Sequence, residues 1–399
     1  MIKEIGVRKK ELHIGLDIGT RLIKGAEVLS EGNRRTLTKF HFVEIDFPFN
    51  REKIAAGLKS FLKDFQPSVK DVNISLSAPS AIVRFINMPK MKKEDLNNSL
   101  RFEAEKYIPF NINEVLIDAS ILEENLEEKN QMRVLLAAAK KDVVNSRIDM
   151  LKENGLSVAV IDIDSFACFN AFCNSFDPSA VQQAQGRPAE SRAERGEQNR
   201  GPAGPGSPRS PGEPSAAAQD KSPEENGTRR AGLENNRLDE SKSTALLNIG
   251  YSQTNIIISR GKLPFFTRDM QIGGKDIART ISKGLGIEEK EADKFIFDPK
   301  DKGPQVYESA KIVLSSLVDE TRLSFGYYEN QFGRGVDEIY ISGGVARLGG
   351  ILDYFEESFG IRPRNWNPFS KFKIGPGLDA KLLELIQPQF AVCAGLAIR

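Results

Sequence analysis

One stretch of this chain occurs twice, and that repetition constrains the fold more than any other feature. Leu12-His13-Ile14-Gly15-Leu16-Asp17-Ile18-Gly19-Thr20 is matched later by Ala245-Leu246-Leu247-Asn248-Ile249-Gly250-Tyr251-Ser252-Gln253-Thr254. Each copy is an apolar run, then Asp or Asn, then Ile-Gly with hydroxyl side chains close behind, and each is followed by two more strand-like runs. A strand that enters a glycine turn and returns as a strand offers backbone N–H groups to phosphate oxygens. Two such units in 399 residues predict two related domains facing one ligand.

The hydrophobic pattern fills in the rest. Strands are expected over 12–17, 22–29, 36–45 and 72–77, with a helix over 51–64 that buries Ile54, Leu58 and Leu62. Residues 82–162 read strand, helix, strand, strand, helix, strand, the order of a small α+β module set within the first domain. A helix over 165–174 closes that block. The second block opens with strands over 245–249, 255–259 and 263–270. A helix from Asp276, a long helix over 305–332, a strand over 338–341 and a final apolar helix over 390–397 follow. Between the blocks, 175–243 loses all apolar periodicity and fills with Pro, Gly and small polar residues, so it is expected to be a disordered insertion. The fold class is therefore α/β: domains over 1–174 and 244–399, mixed sheets flanked by helices, the inserted module, and a terminal helix (390–399) packing back on the first domain.

Composition excludes several functions. With 56 basic and 55 acidic side chains the net charge is +1, without the basic excess of a nucleic-acid binder. No apolar run is long enough to span a bilayer, and residues 1–11 lack the apolar core of a secretory signal, so the expectation is a cytosolic protein without direct membrane insertion. Cys168, Cys173 and Cys393 are too far apart for a CxxC pair and sit among apolar residues, as buried thiols do. Only His13 and His41 exist, both inside strand-like runs, which argues against a histidine-bound zinc or a Ser-His-Asp triad.

The turns carry the chemistry. Asp17 at a strand end can hold Mg²⁺ through waters, Gly19 and Thr20 can bind phosphate oxygens, and Lys24 can reach a β- or γ-phosphate as a point charge. One copy alone reads equally as a hairpin turn; the second copy favours the ligand. There, Asn248, Gly250 and Thr254 supply a second phosphate turn. An amide cannot take a proton from water and can only position it, so nucleotide binding with slow or absent hydrolysis is expected. Gly273 and Gly274, followed by Lys275, and Gly343 and Gly344 are glycine pairs between strand and helix, where helix N-termini can point at anions. Arg347, beside the second pair, is a candidate for the nucleotide base site, with an ordinary surface arginine as the alternative.

Two phosphate turns and a late Ser342-Gly343-Gly344 resemble the actin, Hsp70 and sugar-kinase ATPase superfamily. Within it, Asn87-Met88-Pro89, Arg101-Phe102-Glu103-Ala104-Glu105-Lys106-Tyr107-Ile108-Pro109-Phe110, Glu114-Val115 and Asp118 look like the signature of the PilM family of type IV pilus assembly. So do 134–142, Ile161-Asp162 to Phe166-Ala167, and 340–348. The resemblance implies an actin-like ATPase fold around an ATP or ADP cleft with Mg²⁺, the small module replacing an actin subdomain. It implies a cytoplasmic platform, peripheral at the inner membrane, that captures the N-terminal peptide of a PilN-like membrane protein and meets other pilus assembly proteins. The capture groove would lie between the first domain's core and the module; Arg84, Phe102 and Tyr107 are candidates for it, with ordinary packing as the alternative. Asn248 stands where many superfamily members carry Asp.

Two other functions fit the same fold. A sugar or small-molecule kinase needs a carboxylate base, and only Asp162 or Asp164 is available for it. A membrane-binding cell-division relative (FtsA-like) predicts a basic amphipathic terminal helix, whereas this chain ends Cys393-Ala394-Gly395-Leu396-Ala397-Ile398-Arg399.

Overall fold

In the computed structural model, residues 10–45, 50–126, 130–176 and 238–399 are described. Two sheets share one construction. In the first, β1 (Lys10–Ile18) pairs antiparallel with β2 (Leu22–Glu31), β2 pairs with β3 (Arg34–Glu44), and β4 (Asp71–Leu76) and β8 (Ser157–Ile163) extend the other side in parallel. In the second, β9 (Ser243–Ile249), β10 (Thr254–Arg260) and β11 (Leu263–Met270) repeat the antiparallel meander, with β12 (Glu338–Ser342) and β13 (Arg364–Asn365) in parallel beyond β9. The central strands are apolar on both faces because helices cover both: Ile14 to Leu16 and Ala245 to Leu247 are all buried. Each meander also carries one bulge, at Glu27/Val28 and at Ile258/Ser259, which increases the local twist.

The small module is a three-stranded antiparallel sheet in the order β5 (Ala81–Pro89), β7 (Gln131–Lys140), β6 (Val115–Leu126). Its α2 (Lys93–Ala104) lays Leu96, Leu100 and Ala104 on Ile86, Met88, Val134 and Leu136. The helix stops at Ala104 because the backbone tightens there: the amide N–H groups of Tyr107 and Ile108 both bond to the Ala104 carbonyl. The opposite face of the sheet, with Val83, Phe85 and Leu135, packs into the core shared by both domains.

That shared core is built on α4 (Asp164–Ser175) and α10 (Ala391–Leu396). The two cross so closely that a Cβ on Gly395 would lie 1.7 Å from the Ala167 carbonyl oxygen, and one on Gly15 would lie 2.2 Å from that of Cys393. Asn73 donates to the Leu396 carbonyl at 2.9 Å and Arg399 to Asp162 at 2.6 Å, fastening the C-terminal segment to the first domain. β14 (Lys373–Ile374) also joins the first sheet, beside β3. β13, β14 and α9 (Ala380–Ile386) were not foreseen; two-residue strands leave no periodicity to read. The final helix starts as a 3-10 turn over Gln387–Phe390 and is α-helical only from Ala391. The expected insertion falls mostly on 177–237, outside the described residues; at its margins α4 runs through Ser175 and β9 begins at Ser243.

Candidate functional site

The sequence repeat becomes a spatial pair. Gly19 N–H bonds to the Leu22 carbonyl at 3.0 Å, and Gly250 N–H to that of Gln253 at 2.9 Å, so the two turns close by the same bond. Asp17 stands opposite Lys24 across β1 and β2, and Asn248 opposite Asn255 across β9 and β10. Both turns line one cleft, together with Asp17, Thr20, Lys24, Asn248, Ser252, Gly344 and Asp164. The turns touch: the Thr20 and Ser252 hydroxyls lie 2.6 Å apart.

In the first half the side chains are charged. Lys24 Nζ meets Asp17 Oδ2 at 2.6 Å with both side chains largely buried. Burial works against the ammonium, but Asp17 outweighs it and holds the Lys24 pKa above the ordinary value. Asp164, first residue of α4, is pushed up to about 7 by burial and then by Asp17, against a Ser75 hydrogen bond and Lys24. Arg147 is within electrostatic reach of both carboxylates, and burial holds its pKa below the usual arginine value.

In the second half they are neutral amides in fixed orientation. Asn255 donates to the Asp269 carboxylate, Asn248 donates to Asn255 Oδ1 at 3.2 Å, and the Ser342 hydroxyl donates to Asn248 Oδ1 at 3.4 Å. Burial raises the Asp269 pKa, against the Asn255 bond.

Several candidates stand elsewhere than expected. Thr254 is buried and its hydroxyl donates to the Ile272 carbonyl at 2.8 Å; Ser252 takes the cleft position instead, because the turn closes at Gln253 and sends Thr254 inward as the first residue of β10. The amides of Gly273, Gly274 and Lys275 at the start of α5 (Gly274–Leu285) are spent on Asp276, Gly250 and Tyr251. They brace the second turn rather than face an anion; of the three residues only Gly274 lines the cleft. Gly343, at φ 90°, lets β12 approach β9, since a Cβ there would lie 2.3 Å from the Ile249 carbonyl oxygen. Gly344 faces Phe297, and the Arg347 guanidinium lies 5.0 Å from the centroid of that ring. On the module, Phe102 and Tyr107 are exposed at the C-terminal end of α2, with Lys106 Nζ 5.0 Å from the Phe102 centroid. Arg84 is on β5, at the sheet edge opposite β6, and donates to the Val83 carbonyl at 2.9 Å.

Sequence reasoning missed Arg21 and Asp293. Arg21, next to Thr20, donates through Nε to Asp293 at 2.5 Å and through Nη2 to Glu44 at 3.0 Å. Asp293 lies in α6 (Glu289–Phe295), a segment dense in charged residues. Its burial has no signal in the sequence.

Comparison with known proteins gives the same frame. The chain matches the family described as type IV pilus assembly protein PilM over residues 15–184 and 229–399. A solved PilM-PilN type IV pilus biogenesis complex superposes with a TM-score of 0.73 at 23% identity, covering 97% of this chain and 98% of that one. More distant are the ethanolamine utilization protein EutJ from Carboxydothermus hydrogenoformans (TM-score 0.46, 10% identity, 97% and 89% covered) and MreB 5 of Spiroplasma citri bound to AMPPNP (TM-score 0.42, 12% identity, 97% and 95% covered). The expected family stands: this chain belongs to the PilM family of type IV pilus assembly proteins.

Proposed function

We propose that the protein is a nucleotide-binding scaffold of type IV pilus assembly, holding ATP or ADP with Mg²⁺ in the cleft and docking the N-terminal peptide of a PilN-like inner-membrane protein on its small module. The observation that carries the nucleotide reading is the pair of equivalent glycine turns meeting across one cleft with Lys24, Asp17 and Asp164 between them. The donor set suits Mg²⁺ that arrives on phosphates. Among the described residues no group of three or more His, Cys, Asp or Glu is placed to hold a metal alone, and Asp17 is already engaged by Lys24, so its remaining oxygen would accept from metal-bound waters. Mg²⁺ would neutralise phosphate charge there. Gly344 and Phe297 line one end of the cleft and offer a planar surface that suits a purine base, while Arg347, 5.0 Å from the Phe297 centroid, lies outside the cleft lining.

Turnover is expected to be weak. Asn248 has both amide ends committed and no basic site, so it orients water without taking its proton. Asp164 is the group available for that proton, and at about 7 it is half protonated near neutrality. Thermal denaturation tests the reading: millimolar ATP with Mg²⁺ is expected to raise the melting temperature by several degrees, and Asp17→Ala to abolish the rise. An unchanged melting temperature in the wild type sinks the nucleotide site.

For the partner, the support is the family and an exposed apolar set on the module: Phe102, Tyr107 and Leu116. Among the described residues no helix is long and apolar enough to cross a membrane. A fluorescent N-terminal peptide of the cognate PilN-like protein is expected to bind the wild type and to lose at least tenfold affinity with Phe102→Ala; equal binding by that variant removes Phe102 from the groove.

A further inference from the structure

The cleft is narrow. Its accessible space, about 210 Å³, falls below the roughly 300–1,000 Å³ of a ligand pocket, and the two glycine turns touch through the Thr20 and Ser252 hydroxyls. A ligand the size of a nucleotide therefore seats fully only when the turns separate. The hydroxyl contact is exposed and water replaces it at little cost. The neighbouring contact is of another kind. Arg21, on the first domain's turn, reaches Asp293 on the second domain's α6, and the two side chains are only 13% and 6% exposed. Asp293 Oδ1 is buried with no hydrogen-bond partner, so the carboxylate relies on Arg21. Glu44, at 3.0 Å, holds Arg21 from its own domain and keeps the guanidinium oriented when the domains part.

We infer that Arg21 is the latch of the cleft: by spanning from the first phosphate turn to Asp293 it sets how readily the two domains separate, and through that the residence time of a bound nucleotide. The inference deepens the nucleotide reading and rests on it for the second clause only. Its physical basis is the asymmetry of a buried ion pair. Intact, the pair gains in attraction roughly what it loses in hydration, so it holds the closed state without locking it. With Arg21 removed, Asp293 regains water only in the open state, and the balance tips toward opening. The same logic predicts that removing both charges restores closure. Arg21 also lines the cleft while Asp293 does not, so the Asp293→Ala variant, which keeps the Arg21 side chain, isolates the effect of domain position.

Amide hydrogen exchange on the nucleotide-free full chain reads the latch directly. In Arg21→Ala and Asp293→Ala the amides of 19–22 and 250–253 are expected to exchange at least tenfold faster than in the wild type, with β9 and α4 unchanged. Arg21→Lys is expected to recover part of the protection, and Arg21→Met with Asp293→Leu most of it. Unchanged exchange at the turns overturns the latch; so does faster exchange spread through β9 and α4, which would mean general unfolding. Dissociation of a fluorescent ATP analogue then reads the consequence: at least tenfold faster from Arg21→Ala and near wild type from the double variant. Faster turn exchange with unaltered dissociation overturns the role in nucleotide retention. A wild type that binds no analogue refutes the nucleotide reading and the retention clause, while the exchange result decides the latch by itself.

Discussion

Asp164→Asn is expected to stabilise the protein at pH 8 and to do so only about a quarter as much at pH 4.5. The carboxyl of Asp164 titrates near 7 in the folded chain, against an ordinary 3.8, because burial and then Asp17 disfavour its charge. Between these values the folded protein keeps a proton that the unfolded chain has released. Stability therefore falls as pH rises through that window, and above 7 the full cost is present. The window spans roughly three pH units at about 1.4 kcal/mol each, an upper bound of about 4 kcal/mol. The residue lines a cleft with Lys24 and Arg147 in reach, and water entering that cleft screens the charge, so about 1–3 kcal/mol is the expected gain at pH 8. Asparagine is isosteric and keeps an acceptor for the Ser75 hydroxyl. Urea denaturation of the nucleotide-free wild type and variant at pH 4.5 and pH 8 measures the difference. A variant equal to or less stable than the wild type at pH 8 refutes the reasoning, because Asp164 would then be ionised without penalty. The cost, if found, is the kind that persists at a site kept for chemistry rather than for folding.

Gly395→Val is expected to lower stability by about 3 kcal/mol or to prevent folding, since the new Cβ lands on the Ala167 carbonyl where α10 crosses α4; a soluble variant with an unchanged urea midpoint contradicts that packing. The thiols are expected to be inert in the native state: burial pushes Cys168 and Cys173 up to about 12 and Cys393 higher still. Iodoacetamide at pH 8 should label all three only after denaturation, and stoichiometric labelling of the folded chain contradicts their burial.

The repeat was legible because β-meanders that present a turn must keep an apolar strand, a polar end residue and a glycine in fixed order, and both copies do. The module was legible for a similar reason: β7 alternates cleanly along its length, and α2 buries Leu96, Leu100 and Ala104 at helical spacing. The site was legible only as far as each local turn reaches. Asp17 and Lys24 are seven residues apart and cross-strand neighbours, so their pairing follows from the hairpin. Arg21 and Asp293 are separated by 272 residues, and nothing local marks either as buried. The choice between Ser252 and Thr254 was a matter of parity: both hydroxyls follow the glycine, and only the closing bond at Gln253 decides which one faces out. The glycine pair at 273–274 looked like an anion cradle for the same reason, since a free helix N-terminus and one already filled by the neighbouring turn's carbonyls have the same sequence.

The two halves have kept a geometry and divided its electrostatics. Register position for register position, Asp17 and Lys24 on one side correspond to Asn248 and Asn255 on the other. Asp164 shows why the second side is neutral. One neighbouring carboxylate, Asp17, already helps raise that group to about 7; a further carboxylate at 248 would face the same narrow cleft, where charge is costly, and would push proton uptake higher still. The amides avoid that charge and are held by a half-buried acid one step back, Asp269, which lies outside the lining of the cleft and adds a smaller push to Asp164 than Asp17 does. A triphosphate entering such a site would meet cation and metal-binding carboxylate from the first domain and only hydrogen bonds from the second. Attraction for the ligand would thus be concentrated on one domain and shape on the other, so the second domain's charge bears on closure through Asp293 and the Arg21 latch rather than by facing the ligand.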